Sequence, residues 1–439
     1  FLMTYFEIDI IPLHFNSKCI TFSEWVALFT LCFAPLIAHL ASGAPPISYL
    51  TDRQLKWYDA ICIYNPTTII WRYAAITDRR IRAINWSRQD FAASNAIFWT
   101  SNGWDGSEHM ASVTAQYCLR YPETTHARPF SLTSLKTVIT TLQGVSALMT
   151  LIGAISGSTM LVGRVGFGVD TIFFPLAILG LLRLCAAPWL TADYVYQDYG
   201  QRANSAWEMT SRSSPRPVDK DGEINVDESR TALDPLLVSR FQSAGFRSPE
   251  SSWGSRTFRF FFLGLIWGVW VLAVFCILPS IGGGVTHYTT TSFLLSLYYF
   301  LFTSVTAITY TLFFLRGKTT NTILPCISST WYRLYTVLFT GLMIGLIVIA
   351  SIETNKTIDG SYTSWEPMED YGCLSASDWW LLGPSSQIMG FASTEELDKK
   401  WLTQDQQSLP VAKINGTGSY APEKFWLYNF TGYCLGRMN

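Results

Sequence analysis

Two uninterrupted apolar runs constrain this chain more than anything else in it. They are "FRFFFLGLIWGVWVLAVFCILPSI" and "SFLLSLYYFLFTSVTAITYTLFFL". A helix needs roughly 20 predominantly apolar residues to cross about 30 Å of hydrocarbon, and either run is long enough. Five stretches meet that length: 137–160, 170–190, 259–280, 292–315 and 334–352. A sixth, Trp25–Ser42, is shorter and contains Pro35 and His39, but it carries no acid or base. Proline is tolerated in a span whose neighbours supply polar partners. Composition agrees: 14% of the 439 residues are charged, against about 25% in soluble domains. The expected fold is therefore an all-α integral membrane protein, a bundle of about six transmembrane helices followed by a small mixed C-terminal ectodomain.

Loop charge orients the bundle. Lys and Arg accumulate on short cytoplasmic loops. Arg316, Lys318 and Arg333 lie between the fifth and sixth spans, while "IGGGVTHYTTT" between the fourth and fifth has neither residue type. The expected order is an outer segment 1–24, a cytoplasmic region 43–136, a cytoplasmic loop 191–257, and an outer or lumenal tail 353–439. Arg164, in the outer turn between the second and third spans, dissents. Sequons support the tail assignment, because Asn-linked glycans are added on the lumenal side. Asn355, Asn415 and Asn429 head three sequons in the tail, and Asn85 heads a fourth on the opposite side. The membrane is expected to be the plasma membrane or one of the secretory pathway. The opening "FLMTYFEIDIIPLHF" starts without Met and lacks the basic region of an intact signal peptide.

Nine cysteines are dispersed without a C-x-x-C pair, which argues against a zinc ribbon. Cys373 and Cys434, the two in the tail, are the expected disulfide, with Cys19 as a competing partner. A bond between them would close a loop worth about 4 kcal/mol in the chain-entropy view.

Region 66–84 is a separate case. Asn65 followed by Pro66 is a helix cap and first position. Ile69, Ile70, Tyr73, Ile76 and Ile84 then share one face, and Arg72, Arg79 and Arg82 the other, with Arg80 as the exception. That pattern predicts an amphipathic helix, lying either in the membrane interface or on a soluble layer. The loop 191–257 is rich in Ser, Pro and charge over 200–257, the composition of a largely disordered segment. Ser214 and Ser248, each before a proline, are candidate phosphorylation sites.

Catalytic and metal motifs do not emerge. The five histidines are scattered, with no zinc-protease spacing and no clustered carboxylates. There is no P-loop, and "GRVGFG" has the wrong spacing for a dinucleotide site. No catalytic, cofactor or metal residues are therefore nominated, and the near-zero net charge of −1 argues against nucleic acid as a partner. The expected partner is the lipid bilayer, with protein partners at the tail and loops. Gly153 and Gly157, Gly264 and Gly268, and Gly341 and Gly345 are G-x-x-x-G pairs, which permit close helix packing.

"FSEWVALFTLCFAPLIAHL" and "YNPTTIIWRYAAITDRRIRAINW" are similar to sequences in uncharacterised multi-spanning membrane proteins of filamentous fungi. The resemblance implies a fungal secretory-pathway setting and no activity. A non-enzymatic sensor, scaffold or receptor-like protein is the favoured role. The rival is a channel or transporter of neutral or amphiphilic solutes, lined by Gln143, Ser146, Thr306 and Thr309, and an integral-membrane enzyme comes third.

Overall fold

The computed structural model describes residues 8–15, 17, 20–157, 167–198, 245–277, 286–356, 362–364, 391–392 and 426–427. The helices that organise it are α1 (Phe22–Gly43), α2 (Trp57–Tyr64), α3 (Pro66–Arg82), α4 (Arg88–Asn95), α5 (Leu132–Gly157), α6 (Phe174–Gly180), α7 (Arg183–Ala186), α8 (Trp253–Ile277), α9 (Thr290–Leu315) and α10 (Thr330–Glu353). Six segments are long and apolar enough to cross a membrane: α1, α5, the stretch Val169–Trp189, α8, α9 and α10. This is the organisation of a polytopic membrane protein.

Five of these spans are continuous helices, and the third is not. Val169–Trp189 is built from α6, α7 and 3₁₀ turns at either end. Through its middle, Leu181, Leu182, Leu184 and Cys185 each donate to the carbonyl three residues back, the tighter 3₁₀ pattern. Gly144 of α5 explains how the broken span packs so closely. A Cβ there would stand 2.7 Å from the Ala177 carbonyl oxygen and from Leu181, so only hydrogen lets the two backbones approach.

Contacts at the helix ends show how the spans alternate. At one end the Thr21 N–H, before α1, donates to Glu24, and Glu24 pairs with Lys356, just past α10, at 2.5 Å. The Val169 N–H donates to Thr354 Oγ1, and the Thr291 N–H at the start of α9 donates to the buried Glu353 carboxylate at 2.7 Å. An acid at a helix N-terminus meets both its free amides and its dipole. The starts of the first, third and fifth spans thus share an end with the finish of the sixth. Ile8–Ile11 joins them there, pairing in parallel with Thr286–Thr289.

At the opposite end the chain builds a second layer. Strands β1 (Ile47–Tyr49), β2 (Ile97–Thr100) and β3 (Gly103–Asp105) form a three-stranded sheet in that order, the first pair parallel and the second antiparallel. Phe98 is buried with Ala92, Ala93 and Met110 in a small core of their own. α3 runs from the bundle, where Thr67 meets Thr306, into this layer, where Arg79 and Arg82 meet Gly106 and Glu108. Asn65 caps it as the sequence predicts, Oδ1 accepting the Thr67 N–H at 2.9 Å.

α3 departs from the amphipathic expectation. All of it but Arg80 and Ile81 is buried, including Arg72, Arg79 and Arg82. Its arginine face is buried against protein, because Gly43, Asn95, Gly106, Glu108 and the loop after α9 close over it. The outlier Arg80 stacks on Trp86 and Trp189, 5.6 and 4.8 Å from the ring centres.

The G-x-x-x-G expectation is corrected for two pairs. Among the described residues, a Cβ at Gly264, Gly268, Gly341 or Gly345 would meet nothing within 4 Å. α8 buries Phe262, Ile266 and Ala273, and a residue two positions along a helix lies about 200° round. Gly264 and Gly268 therefore turn away from the bundle, and Gly341 stands in the same relation to the buried Phe339 of α10. Gly153 and Gly157 lie in the last turns of α5, where side-chain surroundings are outside the described residues.

Candidate functional site

The site of most interest is a layer of buried arginines where the bundle meets the sheet. Arginine is almost never fully buried unless paired, yet Arg72, Arg79, Arg82, Arg183 and Arg259 are all at most 8% exposed. What they share is their acceptors. The Arg72 guanidinium donates to the Gly43 carbonyl at 2.6 Å and the Asn95 carbonyl at 2.8 Å, the ends of α1 and α4. Arg79 donates to the carbonyls of Gly106 and Thr320, at 2.5 and 2.7 Å. Arg259 donates to the Phe314 carbonyl at the end of α9 and to Pro249, at 2.8 and 2.6 Å. Arg183 donates to the Ser42 carbonyl, to Thr137 Oγ1 at 2.8 Å and to the Thr133 carbonyl at 3.2 Å. The last four carbonyls of a helix lack intrahelical partners and carry the negative end of its dipole. Several of these arginines thus close helix ends that water would otherwise have to satisfy.

Charge divides the layer in two. On one side, Arg82 pairs with Asp78 at 2.9 Å and with Glu108 at 2.5 Å. Asp78 also accepts from Ser255 Oγ at 2.5 Å and lies 4.0 Å from Arg259. On the other side, Arg72 and Arg183 make no ion pair among the described residues. Burial pushes the Arg72 guanidinium down to about 10, the like charge of Arg183 adding to the effect. Arg79 is also pushed down to about 10, burial again being the largest cause. Both remain cations at neutral pH. Burial likewise raises the Tyr194 phenol, whose hydroxyl donates to the Asn95 carbonyl at 2.9 Å.

Beside Arg72 and Arg183 lies a cavity of about 70 Å³. Its wall is made by the end of α1, the first turns of α5, and Leu190–Ala192 after the third span. Lys136 stands exposed at its rim, its ammonium donating to the Ala41 carbonyl at 2.9 Å.

The sequence-nominated residues lie elsewhere. Asn355 is 7% exposed in a short strand pairing with Thr363, whereas a glycan needs a surface position. Ser248 is exposed in the turn before α8, its carbonyl accepting the Ser251 and Ser252 N–H groups. Asn415, Asn429, Cys373, Cys434 and Ser214 lie outside the described residues. Among the described residues no group of three His, Cys, Asp or Glu side chains could hold a metal ion.

The transport candidates divide. Thr306 is buried and shares a hydrogen bond of 2.9 Å with Thr67 Oγ1, and Thr309 is also buried. Gln143 is half-buried and Ser146 is exposed on α5. Sequence reasoning passed over the arginine layer because it assigned the polar face of α3 to solvent. A usable signal was the excess of basic residues in one 17-residue helix, Arg72, Arg79, Arg80 and Arg82 against Asp78. So many charges of one sign demand partners elsewhere in the chain. Compared with known proteins, the chain matches no family model, no curated protein and no solved structure.

Proposed function

We propose that this is a non-enzymatic membrane protein, a scaffold or sensor in which α3 couples the bundle to the folded layer at one of its ends. The observation that carries this reading is the hydrogen-bonded seam between α3, α9 and α10. Thr67 bonds Thr306, and Tyr310 donates to the Thr67 carbonyl at 2.5 Å. Thr68 bonds the Tyr332 hydroxyl at 2.7 Å, and the Asn65 amide donates to Thr336 at 3.0 Å. Thr306, one of the groups nominated to line a solute path, is satisfied here across a buried interface, as are the other polar groups of the seam. Trp71 fills the same seam, its ring 5.4 and 5.3 Å from those of Tyr310 and Phe314. A saturated buried network rigidifies and specifies a packing, which suits a mechanical coupler better than a moving gate. Purified protein in liposomes is expected to give no saturable uptake of neutral solutes. Saturable flux abolished by Thr306→Leu would overturn the reading in favour of a transporter.

The basic end of the bundle belongs, in this reading, to the cytoplasm, with Arg316, Lys318 and the arginine layer obeying the positive-inside tendency. The tail then lies outside, in the plasma membrane or a secretory-pathway membrane, and offers a surface for partners. Glycosidase treatment of protein from a eukaryotic host is expected to shift its gel mobility. The shift should shrink with Asn415→Gln and Asn429→Gln and stay unchanged with Asn355→Gln, whose side chain is buried. A tail reached by membrane-impermeant reagents only after cells are opened, with no glycan present, would reverse the orientation.

A further inference from the structure

The two halves of the arginine layer differ in one respect that calls for a ligand. Around Asp78 the cations have carboxylates; around Arg72 and Arg183, among the described residues, they have none. Among the described residues, the wall of the cavity there contains Arg72, Arg183 and Lys136 and no Asp or Glu. Arg72 is 3% exposed and Arg183 1%, so water cannot screen them as it would a surface pair. Burying charge without an opposite charge is expensive, and carbonyl dipoles offset only part of that cost. Arg72 also keeps an unused donor, because its Nε has no hydrogen-bond partner although it is buried. Lys136 has three N–H donors, one of them directed to the Ala41 carbonyl.

We propose that the cavity bordered by Arg72, Arg183 and Lys136 binds a phosphate-type oxyanion, a phosphomonoester or phosphodiester group. Two guanidinium groups and an ammonium supply the donors that tetrahedral oxyanions accept in charge-assisted hydrogen bonds. The size agrees. A cavity needs about 10–15 Å³ of water-accessible space to hold one water, so about 70 Å³ has room for a phosphate-sized group. The location agrees as well. The end of α1, the start of α5 and the end of the third span meet there, which is headgroup depth for a bundle of this kind. Basic pockets between membrane helices at that depth recognise anionic headgroups. The same chemistry would accept a soluble phosphate entering past Lys136. Phosphate binding here does not depend on whether the bundle transports a solute.

The test uses the full chain, purified and delipidated in detergent, with thermal unfolding as the readout. One arm titrates inorganic phosphate against chloride at matched ionic strength. The other compares nanodiscs of phosphatidylcholine alone with nanodiscs also containing phosphatidic acid. Saturable stabilisation in either arm, its half-saturation weakened about tenfold by Lys136→Gln, supports the site; a tenfold loss is what one charge-assisted hydrogen bond is worth at about 1.4 kcal/mol. A response to phosphatidic acid alone identifies a lipid headgroup as the source, and a response to inorganic phosphate identifies a soluble one. Lys136 is exposed, so its substitution tests the site without risking the fold. Arg72→Lys is the second variant, retaining the charge while removing the fork of donors, and it should weaken binding further. The proposal is overturned if phosphate stabilises no more than chloride and phosphatidic acid no more than phosphatidylcholine. It is equally overturned if Lys136→Gln binds as the wild type does.

Discussion

α3 and α8 invert the rule by which soluble proteins are read. α3 carries Arg72, Asp78, Arg79, Arg80 and Arg82 in 17 residues, and nearly all of it is buried. α8 is one of the most apolar stretches in the chain, yet Phe260 is 75% exposed and Phe261 66%. In lipid the outside is already apolar, so exposing phenylalanine there costs little. Polar groups are driven inward, because hydrocarbon offers them no hydrogen bond. The polar helix becomes the core and the apolar helix the wall. Amphipathic periodicity still marks two faces on each helix, but it does not say which solvent lies beyond them.

The sharpest way to break this comparison is to make α3 apolar. Arg82→Leu removes one half of a fully buried pair and strands Asp78, whose remaining contacts are Ser255 Oγ and, at 4.0 Å, Arg259. Deleting one partner of a buried pair costs about 3–5 kcal/mol, so the variant should be largely lost from the monodisperse fraction on size-exclusion in detergent. A variant as stable as the wild type would mean that the arginine layer is dispensable and that α3 owes its burial to its apolar face alone.

What the sequence made legible follows the same physics. The six spans were readable because the bilayer sets a length that unbroken apolar runs must meet, and Trp253–Ile277 or Thr290–Leu315 meets it without help from any contact. The Asn65 cap was readable because capping is local. The arginine layer was not, since the acceptors of Arg79 are Ser94, Gly106 and Thr320, 15, 27 and 241 residues away, and no local pattern names them. The open surroundings of Gly264, Gly268, Gly341 and Gly345 have a related reason. G-x-x-x-G says where a backbone can be approached, whereas the approach itself depends on the neighbour. Gly144, with Ala177 and Leu181 against it, belongs to no such pair. Similarly, Arg183 donates to Thr133, Thr137 and Ser42, partners 46 residues or more away that no local pattern names.

Within α8 the contrast can be measured on adjacent residues, Phe261 at 66% exposure and Phe262 at 1%. Phe262 packs on Phe314 and Phe258, ring centres 6.2 and 5.8 Å away. Because the unpacked reference state is also in an apolar medium, Phe262→Ala forfeits contacts and opens a cavity but loses little transfer energy. Its expected cost is therefore about 1–3 kcal/mol, the lower part of the usual large-to-small range. Phe261→Ala loses an edge contact with the likewise outward Phe260, ring centres 6.1 Å apart, and should stay within about 0.5 kcal/mol, as an ordinary surface substitution does. Thermal unfolding of the two variants in the same detergent would check the pair. An equal loss in both would mean that the outward face of α8 is covered in the native particle, by a second copy or another chain, and that its glycines Gly264 and Gly268 have a partner after all. A loss confined to Phe262 leaves that face to the lipid, which is what makes an apolar helix a wall.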